Sequence, residues 1–239
     1  EKPYFTTVYL TALDHEQHEK GPDTAAAHAV LKRIDAVVGN ILAAQMAARP
    51  DSVIAVVSDH GFSTVDTEVN LYRAFIDDGF IILDANGKIK DWEASPWNSG
   101  GSSAIVLKRP SDTALRARVS DLLAQLKADP KNGITEIATE SKIAQYGANP
   151  QASFYVSFAP NAYAGSFKGA TAPLVSPSAS KGTHGYFPDK PFMRSSFMMM
   201  GKGIQKGRNL GEIDMRVIAP TLAQAMGLTL PDAELQAIK

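Results

Sequence analysis

The residues of this chain best suited to chemistry are its five histidines, His15, His18, His28, His60 and His184. Four of them lie in three polar segments next to apolar runs, and two of those segments add an aspartate: Asp14 ahead of His18, and Asp59 beside His60. Imidazole nitrogen and carboxylate oxygen together make a donor set that zinc accepts. Carboxylates among neutral imidazoles are also poor core material, because burying them without a cation is costly. Each segment has a plainer reading. Asp14 to His18 suits a solvated stretch beside Glu16, Glu19 and Lys20. Asp59-His60-Gly61 suits a strand-ending turn, with Asp capping amides and Gly at positive φ. His184 suits a loop histidine with a single hydrogen bond. The conjunction favours the metal reading: a turn needs no partner, whereas a metal site needs ligands from separated segments. His28, near the start of a helical pattern, is read as an ordinary helix residue.

The elements that must position these groups follow from pattern. Tyr4 to Leu10 is aromatic and β-branched, which predicts a buried strand, and Thr11 to Pro22 is a polar stretch. Val30, Leu31, Ile34, Val37, Val38, Ile41, Leu42 and Met46 repeat at helical spacing after an N-cap at Asp23 or Thr24, and Pro50 ends that helix. Val53 to Val57 is a short uninterrupted apolar run, the kind that suits a parallel strand covered on both faces. Strand, helix, strand, then polar residues is the order of an open α/β sheet, where ligands bind beyond the carboxyl ends of the strands. Further on, the pattern predicts a short helix over 69–76 and a hairpin over 80–91 turning at Asn86-Gly87. Strands are expected over 102–107, 152–158 and 194–200, and helices over 112–128, 139–146 and 214–226. Residues 159–182 read as a long loop.

Composition narrows the function classes. With 239 residues, 44% of them hydrophobic, the chain can bury a substantial core. A formal net charge of −1 offers nothing to duplex nucleic acid or an anionic membrane, so an anionic substrate must be held locally, as by a metal ion. With no cysteine, disulfides, thiolate nucleophiles and Cys-rich zinc sites are excluded. No apolar run reaches the roughly 20 residues of a membrane span. Glu1-Lys2-Pro3 has neither an initiator Met nor a leader, and is read as a fragment boundary.

The motifs together resemble a known family. The stretch from Tyr9 to Pro22, with Asp14, His18, Gly21 and Pro22, resembles the D-x-x-x-H-x-x-G-P signature of type I phosphodiesterases and nucleotide pyrophosphatases. Arg33-Ile34-Asp35 is similar to that family's R-x-D element, Ser58-Asp59-His60-Gly61 to its S-D-H-G motif, and Gly182-Thr183-His184-Gly185-Tyr186 to its G-T/N-H-G-Y motif. Ile218 to Leu222, with Gly227-Leu228, resembles its closing helix. Two positions depart from the pattern, Leu13 where the family has Pro and Gln17 where it has Gly. His15 is an extra imidazole expected outside the ligand set.

The resemblance implies an alkaline-phosphatase-like, three-layer α/β/α fold with a mostly parallel central sheet, truncated in its N-terminal part and carrying a small α+β insertion. It implies two Zn2+ per full active site: Asp14, His18 and His184 on one ion, Asp59 and His60 on the other. The nucleophilic Thr or Ser and a further Asp are expected upstream of Glu1. Thr64 is an unconvincing internal substitute. Residues 1–65 and 176–239 would form the metal-binding core, and 66–175 the substrate-determining insertion with further core strands. The implied activity is hydrolysis of phosphodiester or pyrophosphate bonds in nucleotides or related organophosphates, with this stretch alone inactive. The alternatives are a phosphonoacetate hydrolase or phosphomonoesterase of the same superfamily, or a non-catalytic metal-binding or interaction module. The implied partners are a small phosphate ester and either the missing N-terminal half or a second copy. The implied location is the periplasm or the cell exterior.

Overall fold

The computed structural model describes residues 3–238. Its elements in chain order begin with α1 (Ala12–Lys20), α2 (Ala25–Ala48), β1 (Val53–Val57), β2 (Ser63–Thr64), β3 (Thr67–Val69), α3 (Leu71–Asp77), β4 (Ile81–Leu83), β5 (Ile89–Trp92), β6 (Ala94–Asn98) and β7 (Ser102–Leu107). They continue with α4 (Thr113–Ala128), β8 (Ile134–Ala138), α5 (Glu140–Gln145), β9 (Ala152–Phe158), β10 (Ala162–Ala164), β11 (Val175–Pro177), β12 (Gly182–Thr183), β13 (Phe197–Gly201) and α6 (Ile218–Ala225). The chain divides into two compact units, one running up to Ile34 and resuming over Asp59–Ser195, the other made of Asp35–Ser58 and the residues from Ser196 onward.

The first unit is built on a four-stranded antiparallel sheet in the order β6-β7-β9-β8. Over it lies α4, whose Leu115, Val119, Leu122, Leu123 and Leu126 recur at helical spacing and are all buried. Asp112 starts this helix by accepting the Leu115 N–H at 2.9 Å. The central cluster joins these leucines to Phe75, Phe80, Ile105, Phe154, Val156 and Phe158. Leu123 is fully buried there. Leu123→Ala is therefore expected to cost about 2–5 kcal/mol, read as a lowered urea midpoint at unchanged m-value. Around the sheet sit the β4-β5 hairpin, the ladder β10-β3-β11 and the two-residue ladder β12-β2. In the hairpin turn, the Asp84 carboxylate accepts the N–H groups of Asn86 and Lys88, and Gly87 takes φ +74°.

The second unit pairs β1 with β13 antiparallel, Val57 opposite Phe197 and Val53 opposite Gly201. It also holds the later turns of α2 and the short α6. Asp214 caps the single 3-10 turn before α6 by accepting the Arg216 N–H, and Gly227 ends the helix at φ +72°.

Three sequence expectations change, and one stretch left without an element gains one. The central sheet was expected to be mostly parallel, but among the described residues the β10–β3 pairing is parallel and the other ladders are antiparallel. An apolar run carries no information on the direction of the partner, and no residue of Val53–Val57 is buried, so this strand is not covered on both faces as expected. Tyr4 to Leu10 joins no ladder, and its large side chains are exposed, Tyr9 by 80%. Aromatic and β-branched residues make a strand only where a partner strand supplies hydrogen bonds. The polar stretch 11–22 is a helix over most of its length. The 159–182 loop contributes β10 and β11, which flank β3.

Candidate metal centre

All five residues expected to bind metal lie in the first unit. On α1, Asp14 and His18 are four positions apart, which in a helix sets both on one face. No residue of α1 is buried, so hydrophobic burial does not hold this helix in place. It is tied by hydrogen bonds: the Lys181 N–H and the Ser180 hydroxyl both donate to the His18 carbonyl, at 2.8 and 2.9 Å. Gly182 passes so close to α1 that a Cβ there would lie 2.4 Å from the Gln17 carbonyl oxygen. Gly21, at φ +93°, closes the helix by donating its N–H to the same carbonyl.

Gly61 anchors the second segment. Its N–H donates to the Met193 carbonyl at 2.9 Å, and a Cβ on it would lie 2.0 Å from the Phe192 carbonyl oxygen. The third segment, around His184, interlocks with Ser99-Gly100-Gly101. The Gly101 N–H donates to the His184 carbonyl at 2.8 Å, and the Ser102 hydroxyl to the Gly185 carbonyl at 2.6 Å. Added Cβ atoms would meet the His184 carbonyl oxygen at 2.4 Å from Gly100 and the Tyr186 ring at 2.2 Å from Gly101. Tyr186 is buried, its hydroxyl directed at the carbonyls of Pro160 and Ala162, and burial pushes its phenol pKa up.

These segments converge on one oxygen. Asp14 Oδ1 lies 3.7 Å from His184 Nε2, 3.8 Å from His18 Nε2 and 4.0 Å from His60 Nε2. The Asp14 side chain is about half-exposed, yet Oδ1 itself is buried and has no hydrogen-bond partner. The tautomers follow from the backbone. His18 Nδ1 lies 2.9 Å from the Gly182 carbonyl and His60 Nδ1 3.0 Å from the Gly61 carbonyl. A carbonyl only accepts, so each Nδ1 carries a proton, which in the uncharged tautomer leaves the Nε2 lone pair to the centre. His60 and His184 stack with centroids 3.7 Å apart, and burial, with His60 and His18 as neighbours, lowers the pKa of His184. Asp59 is mostly exposed, its Oδ2 3.5 Å from His60 Nε2.

This arrangement fits a cation. A buried carboxylate oxygen without a donor, faced by ring nitrogens too distant to hydrogen-bond it, is costly with nothing between them. Donor atoms of Asp14, His60 and His184 all lie within 4.8 Å of one another. Ligands about 2.1 Å from one zinc ion in a tetrahedron are roughly 3.4 Å apart, slightly closer than the separations here. This trio crosses the expected division, since it takes His60 rather than His18 with Asp14 and His184. His15 points away to Glu19, at 3.3 Å, and His28 is exposed on α2. Thr64 is held in the β12–β2 ladder opposite Gly182. The reading of the sequence did not include Ser180, the Gly100-Gly101 pair or Phe62. The glycine pair was the one visible signal among them.

The family described as type I phosphodiesterase / nucleotide pyrophosphatase matches residues 1–186. No curated protein matches the chain. Among solved structures, murine and human ectonucleotide pyrophosphatase / phosphodiesterase 5 each give a TM-score of 0.66, at 18% and 17% identity, over 95% of this chain and 54% of theirs. A further structure of the murine protein, an inactive variant, is in complex with AMP. A phosphonoacetate hydrolase from Sinorhizobium meliloti 1021, in complex with phosphonoformate, gives 0.51 at 15% identity, over 82% of this chain and 46% of that one. The chain thus spans about half the length of the structures it resembles. At these identities the likeness is one of fold, the alkaline-phosphatase-like α/β fold.

Proposed function

Since the chain belongs to the type I phosphodiesterase / nucleotide pyrophosphatase family, we propose that it is the metal-binding part of a two-zinc hydrolase cleaving phosphodiester or pyrophosphate bonds in nucleotides or related organophosphates. The observation that carries this reading is the buried, partnerless Oδ1 of Asp14 with three imidazole Nε2 atoms around it. Asp14, His18 and His184 would hold one ion; Asp59 and His60 would contribute to the second. Zinc bound in such a site supplies positive charge that polarises a phosphate oxygen and lowers the pKa of a hydroxyl nucleophile. The chain's own work is to keep that place ready. The carbonyls of Gly182 and Gly61 fix the tautomers of His18 and His60. Asp14 and Asp59 offset the charge of two neighbouring dications. The hydroxyl that attacks phosphorus is assigned to polypeptide outside this sequence, in keeping with relatives about twice as long.

Residues 66–175, which hold the four-stranded sheet and none of the five candidate ligands, are assigned to substrate choice. The partners are a nucleotide-like phosphate ester, with the AMP complex of the murine protein as the nearest parallel, and the rest of the polypeptide or a second copy. The place of action is the periplasm or the cell exterior, as the prefix "ecto" says of the mammalian proteins. Among the described residues no helix is long and apolar enough to cross a membrane.

The test uses zinc-loaded full-length protein and bis(p-nitrophenyl) phosphate. His184→Ala and Asp59→Ala are each expected to lower kcat/KM by about a thousandfold, near 4 kcal/mol of transition-state stabilisation. Wild-type rates in both variants would rule the reading out. Parallel rates on a diester, a monoester and a phosphonate would separate this activity from its sibling chemistries.

A further inference from the structure

Phe62 touches the rings of three of the five candidate ligands. Its ring centroid lies 4.8 Å from that of His18 at 72°, 5.3 Å from His184 at 61°, and 6.0 Å from His60 at 48°. The first two are edge-to-face arrangements, the geometry aromatic pairs prefer. Phe62 is half-buried, two positions after His60 and outside the central core cluster. A Cβ on Gly182 would come within 3.1 Å of the Phe62 ring, so the glycine leaves room for phenyl, and its carbonyl accepts from His18 Nδ1. His18 and His60 each have a carbonyl at Nδ1 that limits rotation about χ2. Among the described residues no hydrogen bond to the His184 ring accompanies its contacts with Phe62 and His60; aromatic packing orients it.

We infer that Phe62 is a positioning residue of the metal centre: a rigid phenyl wall, common to His18, His60 and His184, that holds their Nε2 atoms turned toward Asp14. This rests on the metal reading above. The wall acts through the imidazoles. A flexible aliphatic chain of similar volume fills the space without fixing ring planes, and that difference separates positioning from plain packing.

The experiment compares wild type, Phe62→Leu and Phe62→Tyr in two measurements. The first is zinc affinity by competition with a chromogenic chelator. Phe62→Leu is expected to lose about 10–100-fold, as for other residues that orient metal ligands, while Phe62→Tyr stays within about threefold. The second is long-range 1H–15N correlation of the histidine rings in zinc-free protein. Wild type and Phe62→Tyr should each give one sharp set for His18 and His184, and Phe62→Leu doubled or broadened sets. Unchanged affinity together with unchanged ring signals in Phe62→Leu overturns the inference. Failure of the wild type to bind zinc, with the ring signals still changing in Phe62→Leu, would remove the metal reading and leave the positioning role standing. Equal loss in Phe62→Leu and Phe62→Tyr would also overturn it, since tyrosine keeps the ring.

Discussion

Asp14→Asn is expected to move zinc affinity and zinc-free stability in opposite directions. In the zinc-free chain, Asp14 Oδ1 is a buried acceptor facing three ring nitrogens, and those of His18 and His60, with Nδ1 on backbone carbonyls, also present lone pairs. An asparagine amide brings two N–H donors to those acceptors. The variant should therefore match or exceed the wild type by about 1 kcal/mol when unfolded by urea in chelator, the usual worth of satisfying one buried polar group. With zinc the order reverses. Losing the shared carboxylate should lower affinity by more than about 100-fold, beyond the effect of mutating residues that merely orient ligands. At a zinc concentration 100 times the wild-type Kd, wild type gains about 2.7 kcal/mol by mass action and the variant almost none. An ordinary surface aspartate predicts no crossing of the two stability orders. Equal stabilisation of both proteins by zinc would show that this oxygen is not where the ion binds.

The largest effect on folding is expected at Gly185. Its φ is +78°, and an added Cβ would stand 1.7 Å from the Ser99 carbonyl oxygen, which is backbone and has no rotamer to yield. Gly185→Ala should cost about 4 kcal/mol or more, the range reserved for strain at a special backbone position. The control is Gly79→Ala. That glycine has φ +73° with nothing near the position of its Cβ, so it carries the conformational part alone, about 1–2 kcal/mol. The difference between the two variants in urea unfolding measures the interlock between Ser99-Gly100-Gly101 and the His184 segment. A cost at Gly185 no larger than at Gly79 would mean that this interlock does not hold His184 in place.

How much of the centre was legible depends on what each residue type must do. Asp14, His18, Asp59, His60 and His184 stood out in the sequence as candidates because titratable donors recur in separated polar segments, and the fold brings Asp14 Oδ1 near the rings of His18, His60 and His184. Their spacing is also local, within runs of a few residues. The long helix, α4 and the β4-β5 hairpin were readable for a similar reason: side-chain periodicity and turn chemistry act over one or two turns of chain. Tyr4 to Leu10 shows where this fails. A strand is a property of a pair, and the pattern of one segment does not say whether its partner is present.

The sequence by itself therefore determined the family, the candidate donors and most of the helices, since these depend on residue type and on neighbours close along the chain. The tertiary structure decided the rest. The 11–22 stretch is a helix held by hydrogen bonds from Ser180 and Lys181, some 160 residues away, which no local hydropathy pattern encodes. The ladders are mostly antiparallel, because strand direction is fixed by connection and packing. The meeting of Asp14 Oδ1 with three Nε2 atoms, and of Phe62 with three rings, arises only when segments 14–18, 59–62 and 182–185 are brought together. Close approach between distant parts of a chain is a tertiary fact, and both the cost of the bare carboxylate and its fitness for a cation come from it.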